Sequence, residues 1–487
     1  MDVRSDGLTT LCVVCLLAAV PGCSQAGQAP GVPRRPASSD GDAGERRDAG
    51  SQAADAGLPT TTRMPRLPPA DEQVILPFGA SADYHFTVSA DLGRLDVHFS
   101  VDTTLSISEE IDQLQRTLAS HVVPRLRERV EDVAFGVSRY EDFPAEPFGA
   151  PMAGPGGALR ADTPFELLIP ITTHEGRLAR ALSKLDSPLG TGGDSAESSA
   201  EALYQIATGA GYSHAGRELV EPFDDDAQDA AGNIGGVGFR EGAMHVVVHV
   251  TDADTHRPAD YATSFPGTHS LDDAIEALRN VEAKVIGVAS SSQARKHLEA
   301  AAFGTGSVLA NVENGGDCPT GIEGDLVPRY QDTCPLVFEV DSDGKGLSDT
   351  ATDAIVSLLD GIRFTEIGVR IGDDPIGFVG NLEVDLQATE AAAGAADPQV
   401  LDKLPKEQPD GLPETFSDVQ NRTTLGFKVT LENRTIAPTD HEQGFRVVVV
   451  AMGDGLVVAE RVIRIMVPAG AVDGGSAGLG NDEDAGR

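Results

Sequence analysis

The stretch that most constrains the fold is a nearly continuous apolar run at residues 244–254, MHVVVHVTDAD. A strand in a sheet with one solvated face alternates apolar and polar residues, whereas a strand covered by helices on both faces does not. The run therefore predicts a central parallel strand. Because such a strand is enclosed on both faces, we expect His245 and His249 to be core residues rather than metal ligands.

Strand-like and helix-like segments alternate on both sides of this run. Further strands are predicted at 94–102, 132–143, 164–173, 284–290 and 336–341. Helices are predicted at 108–130, 176–185, 198–209, 271–281, 292–304 and 348–362. The segment at 164–173 is a candidate antiparallel edge strand. This alternation predicts an α/β domain with a doubly wound, mostly parallel sheet, whose ligands bind beyond the carboxyl ends of the strands where the strand order reverses.

The pattern changes after about residue 363, where strand-like segments follow one another without a convincing helix. About a hundred residues of this kind predict a β-sandwich of immunoglobulin-like size. We therefore expect an α/β domain at 76–362 and a β-sandwich at 363–470, with a long loop at 391–418. The composition of residues 471–487 predicts a disordered tail.

Residues 1–22 are predicted to be a lipoprotein signal peptide. The apolar segment at 8–20, LTTLCVVCLLAAV, is too short for a comfortable membrane span. The sequence VPGC that follows resembles a bacterial lipobox, which implies lipidation of Cys23 and a lipid anchor in the membrane. An ordinary secretory signal is the alternative. Both predict export, and the lipobox implies a bacterial outer-membrane or cell-surface lipoprotein, with a periplasm-facing orientation left open.

Residues 23–75 are rich in Ala, Gly, Pro and Asp and are predicted to be a disordered linker. Beyond the signal peptide and Cys23, the chain has two cysteines, Cys318 and Cys334. In an oxidising compartment we expect them to form a disulfide worth about 3 kcal/mol.

The chain has 76 acidic and 37 basic residues, for a formal net charge of −39. Such a field repels nucleic acid and anionic lipid, so we expect no nucleic-acid partner. The charge suits an exported protein that meets cations, although solubility alone also explains it.

Oxygen-bearing side chains follow the strand at 94–102 at every second position: Asp102, Thr104 and Ser106. Because the chain turns at the end of a strand, these side chains can converge on one point. Asp252 ends the central strand. A loop at 189–198 adds three more oxygen donors: Thr191, Asp194 and Glu197. Carboxylates and hydroxyls are hard ligands that suit Mg²⁺ or Mn²⁺. The alternative for the first three residues is an N-cap of the next helix.

This arrangement resembles the von Willebrand factor A domain, over about residues 92–362, and its metal-ion-dependent adhesion site. The opening Asp-x-Ser/Thr-x-Ser motif of that family corresponds to DTTLS at 102–106. FGVSRYEDFP, TGGDSAESSAEALY and VVVHVTDAD resemble three later family segments, and the family's second aspartate falls on Asp252. The resemblance implies a Rossmann-like fold with a Mg²⁺ or Mn²⁺ site.

The resemblance leaves open which residue completes the metal shell. An integrin-α-like pattern implies Thr191, whereas an integrin-β-like pattern implies Glu197, with Asp194 beginning the corresponding Asp-x-Pro-Glu run. Glu109 and Glu110 fall where integrin β subunits place the acids of an adjacent calcium site. For these two, first-turn acids favoured by the helix dipole are the alternative.

A cation held by few carboxylates and several hydroxyls retains an open position, which an Asp or Glu of another protein can fill. The resemblance therefore implies a protein-binding module that acts in adhesion or envelope interaction. No base accompanies the motif to activate water, so we expect no enzyme activity. The alternatives are an envelope scaffold with a non-functional metal site, and a metal-dependent hydrolase, which would need a base that the sequence does not show.

Overall fold

The computed structural model describes residues 73–150, 160–186, 188–224, 230–309, 312, 316–393 and 415–470. The predicted signal peptide, Cys23, most of the predicted linker and the tail at 471–487 lie outside these residues. The strands are β1 (Gln73–Ile75), β2 (Ser81–Ser89), β3 (Arg94–Asp102), β4 (Asp132–Tyr140), β5 (Glu166–Thr172), β6 (Ala196–Glu197), β7 (Tyr212–His214), β8 (Arg217–Val220), β9 (Met244–Thr251), β10 (Asp254–Thr255), β11 (Lys284–Ala289), β12 (Val337–Glu339), β13 (Arg363–Asp373), β14 (Val379–Val384), β15 (Thr415–Gln420), β16 (Thr424–Glu432), β17 (Gln443–Gly453) and β18 (Leu456–Val467). The helices are α1 (Ser108–Thr117), α2 (Val123–Arg127), α3 (Glu175–Leu182), α4 (Ser199–Thr208), α5 (Pro258–Tyr261), α6 (Leu271–Asn280), α7 (Ser292–Gly304), α8 (Leu347–Asp360) and α9 (Leu386–Ala393).

A six-stranded sheet in the order β12-β11-β9-β3-β4-β5 forms the α/β domain. All neighbouring pairs are parallel except β4 with β5, so the predicted antiparallel edge strand is confirmed. Numbered by their succession within the domain, the strands have the doubly wound order 3-2-1-4-5-6. The strand order therefore reverses between β3 and β9, and this point is where such a sheet binds its ligands.

Every residue of β9 is buried, as the apolar run predicts. Val246, Val248 and Val250 pack in the core layer that contains α1 and α8, whereas Val247 packs in the layer of α4 and α6. His249 lies in the core between strands, with Nε2 3.0 Å from the Tyr140 hydroxyl and Nδ1 bonded to Ser100. Burial holds the pKa of His249 well below its usual range, so this histidine is a neutral structural residue.

The helix predicted at 108–130 consists of α1, a π-helical turn at Leu118–Val122, and α2. Pro124 lies in the first turn of α2 and has no N–H to donate to the preceding turn. A wider turn just before a proline accommodates this missing donor without ending the helix. The apolar face of the whole segment, including Leu114 and Leu126, remains buried against the sheet.

The β-sandwich consists of a five-stranded sheet, β1-β18-β17-β13-β15, and a three-stranded sheet, β14-β16-β2, which share one apolar core. β2 pairs antiparallel with β16 along its whole length, and β1 pairs in parallel with β18. The α/β domain is therefore inserted between β2 and β13 of the sandwich. The structure places residues 73–89 in the sandwich. The sequence predicts 73–75 as part of the linker and 76–89 as part of the α/β domain, so this boundary is corrected.

The sandwich also contains α9, a helix in a region where the sequence predicts only strands and a loop. Asp385 begins it, since its carboxylate accepts a hydrogen bond from the Ala388 amide at 2.9 Å. The strand β15 occupies 415–418 of the expected loop, and residues 394–414 lie outside the described part of the chain.

The predicted disulfide between Cys318 and Cys334 is present, with the two Cα atoms 5.4 Å apart. A disulfide indicates a location outside the reducing cytoplasm. Among the helices of the described segments, none has the length and apolar character that a membrane span requires.

Candidate metal centre

The point where the strand order reverses brings two aspartates to one edge of the sheet. β3 ends at Asp102 and β9 ends at Thr251, and the strands pair in parallel up to Val101 and Val250. Asp102 is therefore level with Thr251, and Asp252 lies one residue beyond it at the same edge of the sheet. This placement results from two buried apolar strands that run in the same direction side by side.

Four of the predicted ligand side chains form one continuous group of oxygens. Thr104 Oγ1 lies 2.8 Å from Asp102 Oδ1 and 3.2 Å from Ser106 Oγ. Ser106 Oγ in turn lies 3.2 Å from Asp252 Oδ1. The spacing of Asp102, Thr104 and Ser106 thus brings their side chains together, as the sequence predicts, and Asp252 joins them from the neighbouring strand.

Asp102 is completely buried, and its second oxygen, Oδ2, accepts a hydrogen bond from Thr251 Oγ1 at 2.7 Å. Burial, together with the nearby charge of Asp252, raises the pKa of Asp102 to about 7 despite these hydrogen bonds. Among the described residues, no Lys, Arg or His side chain forms an ion pair with Asp102 or Asp252. A carboxylate held in this way is stabilised by a bound cation.

Glu197 is the loop residue that approaches this group. A Cβ atom at Gly192, which has a φ of +60°, would lie 2.8 Å from Glu197 Oε1 and 3.7 Å from Thr104 Cγ2. Glycine at 192 therefore leaves space for the Glu197 carboxylate beside Thr104. Glu197 is 4% exposed and its Oε2 has no hydrogen-bond partner in the described structure. Burial and the charges of neighbouring acids, Asp102 first among them, raise its pKa to about 11.

Thr191 forms its described hydrogen bonds with Asp162 and not with the oxygen group. Its amide donates to Asp162 Oδ1 at 3.0 Å, and its hydroxyl lies 3.5 Å from the other oxygen of the same carboxylate. Asp162 also accepts a hydrogen bond from the Gly192 amide and so anchors the loop. Of the two family patterns, the observed geometry favours the one in which Glu197 lies at the centre.

Asp194 joins a second group with Asp142 and His256. One ligand atom from each lies within 4.8 Å of the others. His256 Nε2 is 3.2 Å from Asp142 Oδ2 and 3.0 Å from Asp194 Oδ1. Burial alone would lower the pKa of His256, but hydrogen bonding and charge from the two aspartates raise it to about 9. Imidazole and carboxylate ligands suit divalent transition metals, so this group suggests a divalent-cation position of its own.

The acids predicted for an adjacent calcium site have different surroundings. Glu109 is exposed, whereas Glu110 is 2% exposed and its Oε2 has no hydrogen-bond partner among the described residues. Burial and the charge of Asp252 raise the pKa of Glu110. The backbone at Gly344 packs directly on Glu110, which brings the loop before α8 to the edge of the centre.

The sequence predicts no role for Asp142 or Asp162, and it places His256 only in the loop after Asp252, from which it could approach the site. Asp142 lies in the segment FGVSRYEDFP, and its position two residues after a buried strand was an available signal. His256 follows Asp252 closely, but nothing in the sequence pairs it with Asp194. Asp162 has no local signal, because its role depends on where the loop containing Thr191 folds back.

The oxygen group fits a hard divalent cation. It combines two carboxylates and two hydroxyls with a buried, unpartnered oxygen on Glu197 and no compensating cation among the described side chains. Orphaned buried oxygens are costly unless a partner satisfies them. Mg²⁺ or Mn²⁺ supplies such a partner.

Comparisons with known proteins give a similarity among solved structures only. No family model matches the chain, and no curated protein matches it. Among solved structures, the von Willebrand factor type A from Catenulispora acidiphila is similar to this chain at 13% identity, covering 83% of this chain and 73% of that chain, with a TM-score of 0.28. A TM-score this low carries no argument about family, metal or ligand. The α/β assignment therefore depends on the strand order and register of the chain itself.

Proposed function

We propose that this chain is an exported, lipid-anchored protein that binds other proteins through a divalent cation at the end of β3 and β9. Asp102, Thr104, Ser106 and Asp252 would hold Mg²⁺ or Mn²⁺, with Glu197 completing the shell. When bound, the ion supplies a Lewis-acidic coordination position for a carboxylate from a partner. Adhesion or attachment within the cell envelope is the role that this chemistry serves.

The observation that carries the proposal is the convergence of the oxygen group at the point where the strand order reverses. Two of its members, Thr104 and Ser106, are hydroxyls and contribute no charge to the cation. An ion held by such a mixed set retains attraction for a further acidic side chain. Glu197, which burial and neighbouring charges keep protonated in the metal-free protein, ionises readily once a cation is beside it.

The surface around the group supports recognition of a protein. Leu105 lies between two of the proposed ligands and is 53% exposed. An exposed leucine beside a polar site offers an apolar contact for a partner segment.

Calorimetric titration of the full chain with Mg²⁺, Mn²⁺ and Ca²⁺ tests the metal site. We expect saturable binding of Mg²⁺ or Mn²⁺ and its loss, by at least a hundredfold in affinity, in Asp102→Ala. Asp112→Ala is the matched control, since it removes an exposed acid of α1 that pairs with Arg116 away from the centre. Equal affinity in the two variants would exclude the site, and an absence of binding would favour an envelope scaffold.

Selection of a displayed peptide library on the full chain tests the partner chemistry. We expect peptides selected in Mg²⁺ to contain Asp or Glu and to be released by EDTA. Peptides that stay bound in EDTA, or that contain no acidic residue, would contradict binding through the cation.

A further inference from the structure

A small cavity beside the centre has no role in the proposal above. Its volume is about 200 Å³, and residues of β10, the following loop, α7 and the disulfide-bonded segment line it. The lining side chains that carry a charge or a hydrogen-bonding group include Asp254, His256, Arg257, Lys296, His297 and Tyr330. Of these, His256 also belongs to the group with Asp142 and Asp194. We call this cavity the His297 pocket.

His297 is the unusual member of this lining. It is 4% exposed, and neither ring nitrogen has a hydrogen-bond partner in the described structure. Its Nδ1 lies 3.5 Å from Asp254 Oδ1, which is longer than a well-formed hydrogen bond. By contrast, the buried His249 has both nitrogens bonded. Asp254 therefore accompanies Nδ1 of His297, whereas Nε2 has no partner among the described residues. A buried ring nitrogen without a partner is costly, and its presence at a cavity indicates that a ligand supplies the missing partner.

The charge of the pocket identifies the ligand class. Lys296 and Arg257 are exposed at the pocket, and neither forms an ion pair with any described residue. Asp254 is the only acidic residue in the described lining. In a chain with a net charge of −39, a pocket lined by Lys296, Arg257 and two imidazoles, of which only His256 pairs with acids outside the lining, is an exception. Such a lining is complementary to an anion.

The position and size of the pocket specify the ligand further. Asp254 lies two residues after Asp252, and β10 pairs in parallel with β6, which contains Glu197. The pocket therefore adjoins the metal centre along the same loop. Pockets for small organic ligands usually have volumes of roughly 300–1,000 Å³, so this one suits a single side chain.

We propose that the His297 pocket binds a second carboxylate of the same partner segment, next to the acid that reaches the cation. This inference rests on the proposed function, since it assigns the partner two acidic residues. His297 would donate to the carboxylate from inside the pocket, while Lys296 and Arg257 would pair with it at the surface. The partner would then be an acidic segment rather than a protein with one exposed acid.

The first test needs no metal and no partner. The full chain, labelled with ¹⁵N at histidine and kept in EDTA, is titrated with sodium acetate at constant ionic strength while the imidazole resonances are recorded. We expect a saturable shift of the His297 signal and about a tenfold weaker acetate affinity in Lys296→Ala. Lys184→Ala removes an exposed lysine outside this pocket and should leave the affinity unchanged. A His297 signal that does not respond, or equal weakening in both variants, would overturn the inference.

The second test uses the peptide selection in Mg²⁺. Peptides with two acidic residues should bind the wild-type chain at least tenfold more tightly than single-acid versions, and Lys296→Ala should remove this difference. If acetate shifts the His297 signal but no peptide requires Mg²⁺ for binding, the pocket binds carboxylates and the proposed function is wrong. If the peptides require Mg²⁺ but a second acidic residue does not increase their affinity, the proposed function is supported and the role of the His297 pocket is wrong.

Discussion

Replacing Asp102 with asparagine should stabilise the metal-free protein while abolishing metal binding. The carboxyl group is completely buried, and its pKa rises from an ordinary value of 3.8 to about 7. Between these two values the folded state holds a proton that the unfolded state has lost, so stability falls as the pH rises through this window. The wild-type chain should therefore be least stable, relative to the asparagine variant, at pH 7 and above.

The size of the effect follows from the same two pKa values. Integrated over this pH window, the raised pKa of Asp102 lowers the free energy of unfolding by about 4 kcal/mol at pH 8 and by about 2 kcal/mol at pH 5. Asparagine is of similar size, and its carbonyl can still accept from the Thr104 amide while its NH₂ group donates to Thr251. Because the asparagine side chain does not ionise, the free energy of unfolding of the metal-free variant should exceed that of the wild type by nearly these amounts.

Urea unfolding in EDTA at pH 5 and pH 8 measures this difference. We expect a higher midpoint for Asp102→Asn at both pH values, with the larger gain at pH 8 and an unchanged slope. Asp112→Asn, at an exposed position, should show no such dependence. Adding Mg²⁺ at a hundredfold excess over its dissociation constant should raise the stability of the wild type by about 2.7 kcal/mol and leave Asp102→Asn unchanged. A variant that is less stable than the wild type in EDTA at pH 8 would refute the reasoning.

Three further predictions concern the framework that positions the centre. Arg240→Met should lower the free energy of unfolding in urea by about 3–5 kcal/mol, because it leaves the buried Asp96 of β3 without its ion-pair partner. A loss below about 1 kcal/mol would mean that this ion pair contributes no more than one at the surface. Replacing Cys318 and Cys334 together by serine should lower the free energy of unfolding in urea by about 3 kcal/mol, because the disulfide is lost. A reductant should then destabilise only the wild type, and equal destabilisation of the double variant would contradict this prediction. Gly93→Ala should lower stability by about 1–3 kcal/mol in a thermal melt, because the added Cβ would lie 2.5 Å from the Val458 carbonyl oxygen of β18. Gly176→Ala is the control, since a Cβ at that position would have no atom within 4 Å. Equal melting temperatures of the two variants would contradict close packing of Gly93 against β18.

The strands that build the centre could be predicted because their signals are local. The apolar runs that end at Asp102 and Thr251 identify buried parallel strands, and parallel strands bring their carboxyl ends to one edge. The alternate spacing of Asp102, Thr104 and Ser106 then places their oxygens together. Each of these inferences uses residues within one strand and its following turn.

The rest depends on contacts between distant parts of the chain. The choice between Thr191 and Glu197 is made by Asp162, which binds the loop through two backbone amides. The pairing of His256 with Asp194 likewise depends on how two loops meet. No local pattern specifies such contacts.

The domain boundary was misplaced for the same reason. β2 alternates in burial like an ordinary strand, and its partner β16 lies on the far side of the α/β domain in sequence. A one-dimensional pattern identifies a strand but does not say which sheet it joins. The helix α9, in contrast, had a local signal at Asp385, which was outweighed by the strand-rich surroundings.

Anomalous diffraction from crystals of the full chain soaked in Mn²⁺ tests the central claim most directly. The account predicts an anomalous peak within coordination distance of Thr104 and Ser106 hydroxyl oxygens, beside Asp102 and Asp252, that is absent from Asp102→Ala crystals. A peak only at Asp142, Asp194 and His256, or no peak at the carboxyl ends of β3 and β9, would contradict it.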